Sequence, residues 1–103
     1  MRYLTMTKTE KLLADVVDLV HTRGSVYGHP YTNHKRISEL WSAYLDHPVT
    51  PSQVALCMAL VKVSRLTESP GHSDSIIDAL AYISIYQTVL DAEADINFTW
   101  GDD

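Results

Sequence analysis

Lys62 and Arg65 lie three residues apart inside residues 54–66, a run in which ten of thirteen positions are apolar and none is Gly or Pro. Such a run is helical, so both cations fall on one helix face. An unpaired charge in so apolar a segment is too costly to keep, and partners are expected. Asp74 and Asp78 carry the matching spacing on the next helical segment. Neighbouring helices joined by a short loop pack antiparallel, which brings these carboxylates to the two cations. One chemistry of this cluster is an interhelical ion-pair network that fixes register. The other is a polar site in which Lys62 and Arg65 hold phosphate oxygens while Asp74 and Asp78 orient them, bind Mg²⁺ or contact sugar hydroxyls.

A second constellation is Tyr27-Gly28-His29-Pro30-Tyr31 followed by Asn33, His34 and Arg36. Its aromatic rings suit stacking on a base, its amide and imidazole groups suit a base edge, and Arg36 suits phosphate. Packed against helices, the same residues form a structured connection and nothing more. Zinc is disfavoured, because His29, His34 and His72 show no HxxxH spacing on one helix. The single Cys57 sits in the apolar run and reads as a buried core residue of a reducing compartment.

Four helical segments must position these groups. Thr7 and Glu10 form a capping-box pattern that opens the first, expected to run to about Thr22 and to end at Arg23-Gly24-Ser25 with Gly24 in left-handed geometry. The second is expected from Thr32 or Asn33 to just before Asp46, with Ile37, Leu40, Trp41, Tyr44 and Leu45 as its apolar stripe. Thr50-Pro51-Ser52-Gln53 starts the third, and Ser69-Pro70-Gly71 breaks it. Ser73 is the expected cap of the fourth, a nearly continuous apolar run in which Asp74, Asp78, Tyr82 and Ile85 share a face. The fold expected is an all-α, four-helix domain over residues 1–93, with short loops and the third and fourth helices central. An irregular acidic tail follows over 94–103, mobile or docked through Phe98 and Trp100.

The 103 residues suffice for one modest core, and the net charge of −5 argues against bulk binding to DNA or RNA. No stretch reads as a signal peptide or a membrane span, which points to the cytoplasm. Two helices are apolar around most of their circumference, more than so small a bundle can cover. A homo-oligomer is therefore expected.

Five motifs carry a family resemblance: Tyr27-Gly28-His29-Pro30; Asn33-His34-x-Arg36-Ile37-x-x-Leu40-Trp41-x-x-Tyr44-Leu45; Thr50-Pro51; Lys62-x-x-Arg65-Leu66; and His72-x-Asp74-Ser75-x-x-Asp78-x-x-x-Tyr82. Over about residues 23–93 the chain resembles a family of small proteins common in tailed phages and prophages. It is also distantly similar to the all-α MazG-type nucleotide pyrophosphohydrolases, which are helical, oligomeric and Mg²⁺-dependent. That likeness implies Asp74 and Asp78 as a second acidic pair and as metal ligands. The first acidic motif of that fold, two adjacent glutamates and a third one turn later, has no counterpart, since the second helix offers only Glu39.

The leading expectation is a phage-type binder of a small phosphorylated nucleotide, one that sequesters a host immune signalling nucleotide and needs no cofactor. Its expected ligand-binding residues are Tyr27, His29, Asn33, His34, Arg36, Lys62, Arg65, His72, Asp74, Asp78 and Tyr82. A Mg²⁺-dependent pyrophosphohydrolase is the alternative. A structural or interaction module without ligand is the third reading. Three or more carboxylates converging on one point would separate the enzyme from the binder.

Overall fold

The computed structural model describes residues 6–95 and contains four helices in chain order: α1 (Lys8–Tyr27), α2 (Pro30–Leu45), α3 (Pro51–Glu68) and α4 (Ser73–Ala94). Among the described residues there is no strand, and the domain is all-α. The expected tail with Phe98 and Trp100 lies outside the described residues. No described helix is long and apolar enough to cross a membrane.

Two helix starts follow their sequence signals. Thr7 accepts the Glu10 N–H at 3.1 Å while Glu10 accepts the Thr7 N–H at 3.1 Å. Thr50 and Gln53 repeat the exchange at 2.9 and 3.2 Å, with Pro51 in the first helical position. Each box satisfies two backbone donors that a helix start otherwise leaves unpaired.

The other two starts are capped by histidines. His29 Nδ1 accepts the Tyr31 N–H at 3.1 Å, and Pro30 occupies the first turn, so α2 begins two to three residues earlier than expected. His72 Nδ1 accepts the Ser75 N–H at 3.2 Å, displacing Ser73 from the capping role expected of it. An imidazole Nδ1 reaches the same donor as a serine oxygen, which is why the hydroxyl rule misplaced both starts. Nor does α1 stop at Gly24. It continues one further turn to Tyr27, and Gly28, at φ 80°, closes it by donating its N–H to the Gly24 carbonyl. Gly24 is tolerated inside the helix, and the positive φ is spent at Gly28 instead.

α3 and α4 are antiparallel and make the most extensive contact; α4 touches all three other helices, and α1 and α3 do not pack on each other. Small residues permit the α3–α4 approach: Ala55, Ala59, Ala79 and Ala81 are buried beside Val54, Ile85 and Val89. Far from enclosing α3, these contacts leave Leu56, Cys57, Leu60, Val61 and Val63 exposed. Cys57 is thus a surface residue of the single chain rather than part of its core.

At one end of this helix pair, Glu93 accepts both the backbone N–H (2.7 Å) and the hydroxyl (2.8 Å) of buried Ser52. The carboxylate faces the positive end of the α3 dipole and ties the end of α4 to the start of α3. Glu93→Ala strands the Ser52 N–H and leaves the hydroxyl only Thr50 Oγ1 at 3.3 Å, and is expected to cost about 1–3 kcal/mol. A lower urea midpoint at unchanged slope checks this.

Candidate functional site

Asp78 is the point where three helices meet. Its Oδ2 lies 3.1 Å from Lys62 Nζ on α3, and its Oδ1 lies 3.6 Å from an Arg23 guanidinium nitrogen on α1. All three side chains are partly covered, at 15–23% exposure, where an ion pair is worth more than on an open surface. The antiparallel packing thus brings Lys62 to Asp78, as the sequence spacing implied. Arg65 and Asp74 are not drawn in: both are exposed and neither makes an ion pair among the described residues. Arg23 takes the second place at the carboxylate.

Arg23 is missed by the sequence pattern because Arg23-Gly24-Ser25 reads locally as a helix end. The signal was present, since Val16, Leu19, Val20 and Arg23 follow the i, i+3, i+4, i+7 pattern of an inward face. The guanidinium lies over the Tyr82 ring, 4.5 Å from its centroid, a cation–π contact. Buried His34 meets the same ring edge-on, with centroids 6.5 Å apart. Arg23, His34 and Tyr82 line a pocket of about 200 Å³ with Val20, Gly24, Tyr27, Gly28, Pro30, Asn33 and Ile85.

The protonation of His34 follows from its partner. Nδ1 lies 2.8 Å from the Pro30 carbonyl oxygen. A carbonyl only accepts, so Nδ1 carries the hydrogen and Nε2 of the neutral ring is an acceptor. Burial lowers the His34 pKa below the usual 6.5; the Pro30 hydrogen bond opposes that shift, and the Arg23 charge adds to it. Three buried side-chain atoms have no partner among the described residues: Arg23 Nη1, Thr32 Oγ1 and His34 Nε2. Two of them belong to residues that line the pocket, one a donor on Arg23 and one an acceptor on His34.

A second, more open cleft of about 430 Å³ is formed by Ser64, Arg65, Glu68, Ser69, His72 and Ser75. His72 Nδ1, the α4 cap, lies 2.8 Å from the hydroxyl of buried Ser75. Ser75, Asp78 and Tyr82 are spaced i, i+3, i+7 on α4, so one face of that helix runs from the cleft through the ion pairs into the pocket. From Ser75 to Tyr82 the axial distance is ~10 Å at the helical rise.

The expected site residues therefore divide. Tyr27, Asn33, His34 and Tyr82 line the pocket, Asp78 and Lys62 sit between the two cavities, and Arg65 and His72 line the cleft. His29 serves the backbone as a cap, Arg36 is exposed one turn beyond Asn33, and Asp74 is exposed in the first turn of α4.

These features define a small all-α protein with a polar, partly closed site between its helices. The chain belongs to the family described as Domain of unknown function (DUF6378), whose model matches residues 11–90. It is 33% identical over 82 residues to the Gene 55 protein of Mycobacterium phage D29, covering 79% of this chain and 54% of that protein. To the Gene 55 protein of Mycobacterium phage L5 it is 36% identical over 66 residues, covering 63% of this chain and 42% of that protein. The chain spans about half the length of these curated relatives. No solved structure matches it. The protein is of a phage family.

The lowered His34 pKa sets a pH dependence. The unfolded imidazole titrates near 6.5 and the folded one below that. Above 6.5 neither state is protonated and the neutral ring keeps its full contribution. As pH falls below 6.5 the unfolded chain takes up the proton first, and stability declines until pH passes the folded value. Urea midpoints measured from about pH 8 down to about pH 5 should fall more steeply for the wild type than for His34→Gln.

Proposed function

We propose that this phage-family protein binds a small phosphorylated nucleotide along the α4 face, between the closed pocket and the open cleft. The observation that carries this reading is the pairing of two unsatisfied pocket atoms, Arg23 Nη1 and His34 Nε2, with a free cation in the cleft at the other end of one helix face. Arg65 makes no ion pair among the described residues and stands among the hydroxyls of Ser64 and Ser69, a suitable setting for phosphate oxygens. With His34 neutral, Arg23, Lys62 and Asp78 leave one net positive charge between the cavities, against an acidic chain overall.

The residues do not fit a Mg²⁺ centre of the MazG type. Among the described residues no group of three or more His, Cys, Asp and Glu is placed to hold a metal ion. Both Asp78 oxygens face cations, and Asp74 stands apart from them on the surface. Between the two, we propose binding rather than a MazG-type hydrolysis. In a phage protein, such binding acts by sequestration, and a host signalling nucleotide used in immunity is the ligand class it suits.

A second copy of the chain is the partner proposed for the exposed α3 surface. Leu56, Leu60 and Val63 are spaced i, i+4, i+7 and are 39–65% exposed, a stripe of the kind that a neighbouring helix covers. Sedimentation at micromolar concentration is expected to show an oligomer that Leu60→Glu dissociates; a wild-type monomer would refute it.

The ligand is tested by incubating the protein with a nucleotide panel, with and without Mg²⁺, then denaturing it and analysing what is released. Intact nucleotide is expected, and converted nucleotide would mean an enzyme. Arg65→Ala should leave the melting temperature nearly unchanged, because the side chain is exposed and supports no ion pair. It should weaken nucleotide binding about tenfold or more through lost charge-assisted hydrogen bonds. A large loss of stability with unchanged affinity would overturn Arg65 as a phosphate contact.

A further inference from the structure

Building on the nucleotide reading, we infer that the closed pocket takes the base rather than the phosphate, and that it selects a lactam edge. A lactam edge is a ring carbonyl beside a ring N–H, as guanine, hypoxanthine and uracil present.

The argument starts from the hydrogen count on two atoms. His34 Nδ1 is committed to the Pro30 carbonyl, so neutral Nε2 offers a lone pair and nothing else. Arg23 Nη1 offers hydrogens and nothing else. An occupant that satisfies both must carry an acceptor and a donor on one edge. A fully ionised phosphate carries acceptors only; it would press negative oxygen against the His34 lone pair, close to the Asp78 carboxylate that Arg23 already faces. Lowering the His34 pKa removes the remedy of protonating the ring. The phosphate is thereby directed out of the pocket, toward Arg65.

Size and surfaces agree. A space of about 200 Å³ is below the ~300–1,000 Å³ typical of sites that enclose a whole drug-sized ligand, and it suits one ring system. Tyr27, 63% exposed, stands at the pocket and offers a ring face to a base. Of the base edges that pair a donor with an acceptor, the lactam edge is the one that offers the guanidinium an exocyclic carbonyl oxygen as its acceptor. The Arg23 side chain remains 23% exposed, so its guanidinium can turn to open Nη1 to an entering base.

The wild-type chain tests this directly. Calorimetric titration compares guanosine and uridine 5′-phosphates with their N1-methyl and N3-methyl derivatives, which keep the carbonyl and phosphate but lose the ring N–H. Adenosine and cytidine 5′-phosphates and ribose 5-phosphate complete the series. The expected result is about a tenfold or greater loss on N-methylation, with ribose 5-phosphate weaker than the parent nucleotide. His34→Asn keeps a donor for Pro30 and removes Nε2; it should bring parent and N-methyl nucleotide within about twofold of each other. A ¹⁵N signal of His34 Nε2 that shifts on adding the parent nucleotide, and not its N-methyl form, reads the same contact without any substitution. Tight binding indifferent to N-methylation, or a preference for adenine or cytosine, overturns the lactam inference and leaves the nucleotide reading standing. Failure of every nucleotide to bind overturns both.

Discussion

The Asp78 carboxylate is the constraint on which the other arrangements depend. α1 and α3 do not pack against each other, and the bridge through this one side chain on α4 ties the end of α1 to α3. A carboxylate has two oxygens with separate lone pairs, and here each oxygen faces a different cation. Arg23 is oriented by that pairing and by the Tyr82 face together. Fixing one guanidinium nitrogen at Asp78 leaves the other facing away, and that is how an unpartnered donor arises in a fold whose helix ends are otherwise well capped. The site is a consequence of the tertiary tie, not an addition to it.

Polar groups at the helix ends perform the same kind of work at smaller scale. His29 and His72 cap α2 and α4, and Glu93 closes the start of α3 from across the α3–α4 pair. In each case the side chain serves a backbone donor, which sets where the helix begins and therefore which residues face inward. Starting α2 at Pro30 places His34 one full turn into the helix, within reach of the Pro30 carbonyl that fixes its tautomer. Had α2 begun at Thr32 or Asn33, that carbonyl would lie outside the helix and the Nε2 lone pair would not be specified.

Much of the fold was legible because helix periodicity and capping boxes are local. The Thr50-Pro51-Gln53 start of α3 and the four-helix count needed nothing beyond neighbours in the chain. The antiparallel register was legible too, since the short turn at 69–72 leaves little choice and Lys62 meets Asp78. What the sequence did not disclose was competition for a shared partner. Arg65 and Arg23 both have the chemistry to pair with Asp78, and only the placement of α1 decides for Arg23. Extending α1 through Gly24 was the step that created this competitor, and a glycine followed by serine argues locally for a stop. The burial of Cys57 was misjudged for a related reason: composition says that a helix is apolar all round, but the number of helices available determines how many sides are covered.

That last point bears on how so thin a core holds together. Among the described residues the largest fully buried side chains are Val54, Val89 and Ser75, and half of the eight buried apolar residues are alanines, so burial contributes little per residue. The chain is also drawn out, with extents of 48 × 33 × 22 Å and a radius of gyration of 15.6 Å, against about 13 Å for a compact domain of this length. An elongated body with a small core keeps more apolar area at its surface, and here Leu40, Tyr44, Leu60 and Val63 remain among the exposed residues. The same geometry explains why the polar ties matter. With few large side chains interlocking between α1, α2 and α4, the Asp78 bridge ties α1 and α3 to α4, and the edge-on contact of the His34 and Tyr82 rings ties α2 to α4, where apolar packing alone would leave the helices free to slide. On the proposed nucleotide reading, function and stability draw on the same atoms. A ligand that pairs with Arg23 and His34 relieves two unsatisfied buried groups, each worth about 1–3 kcal/mol, and so stabilises the fold by the contacts through which it is recognised.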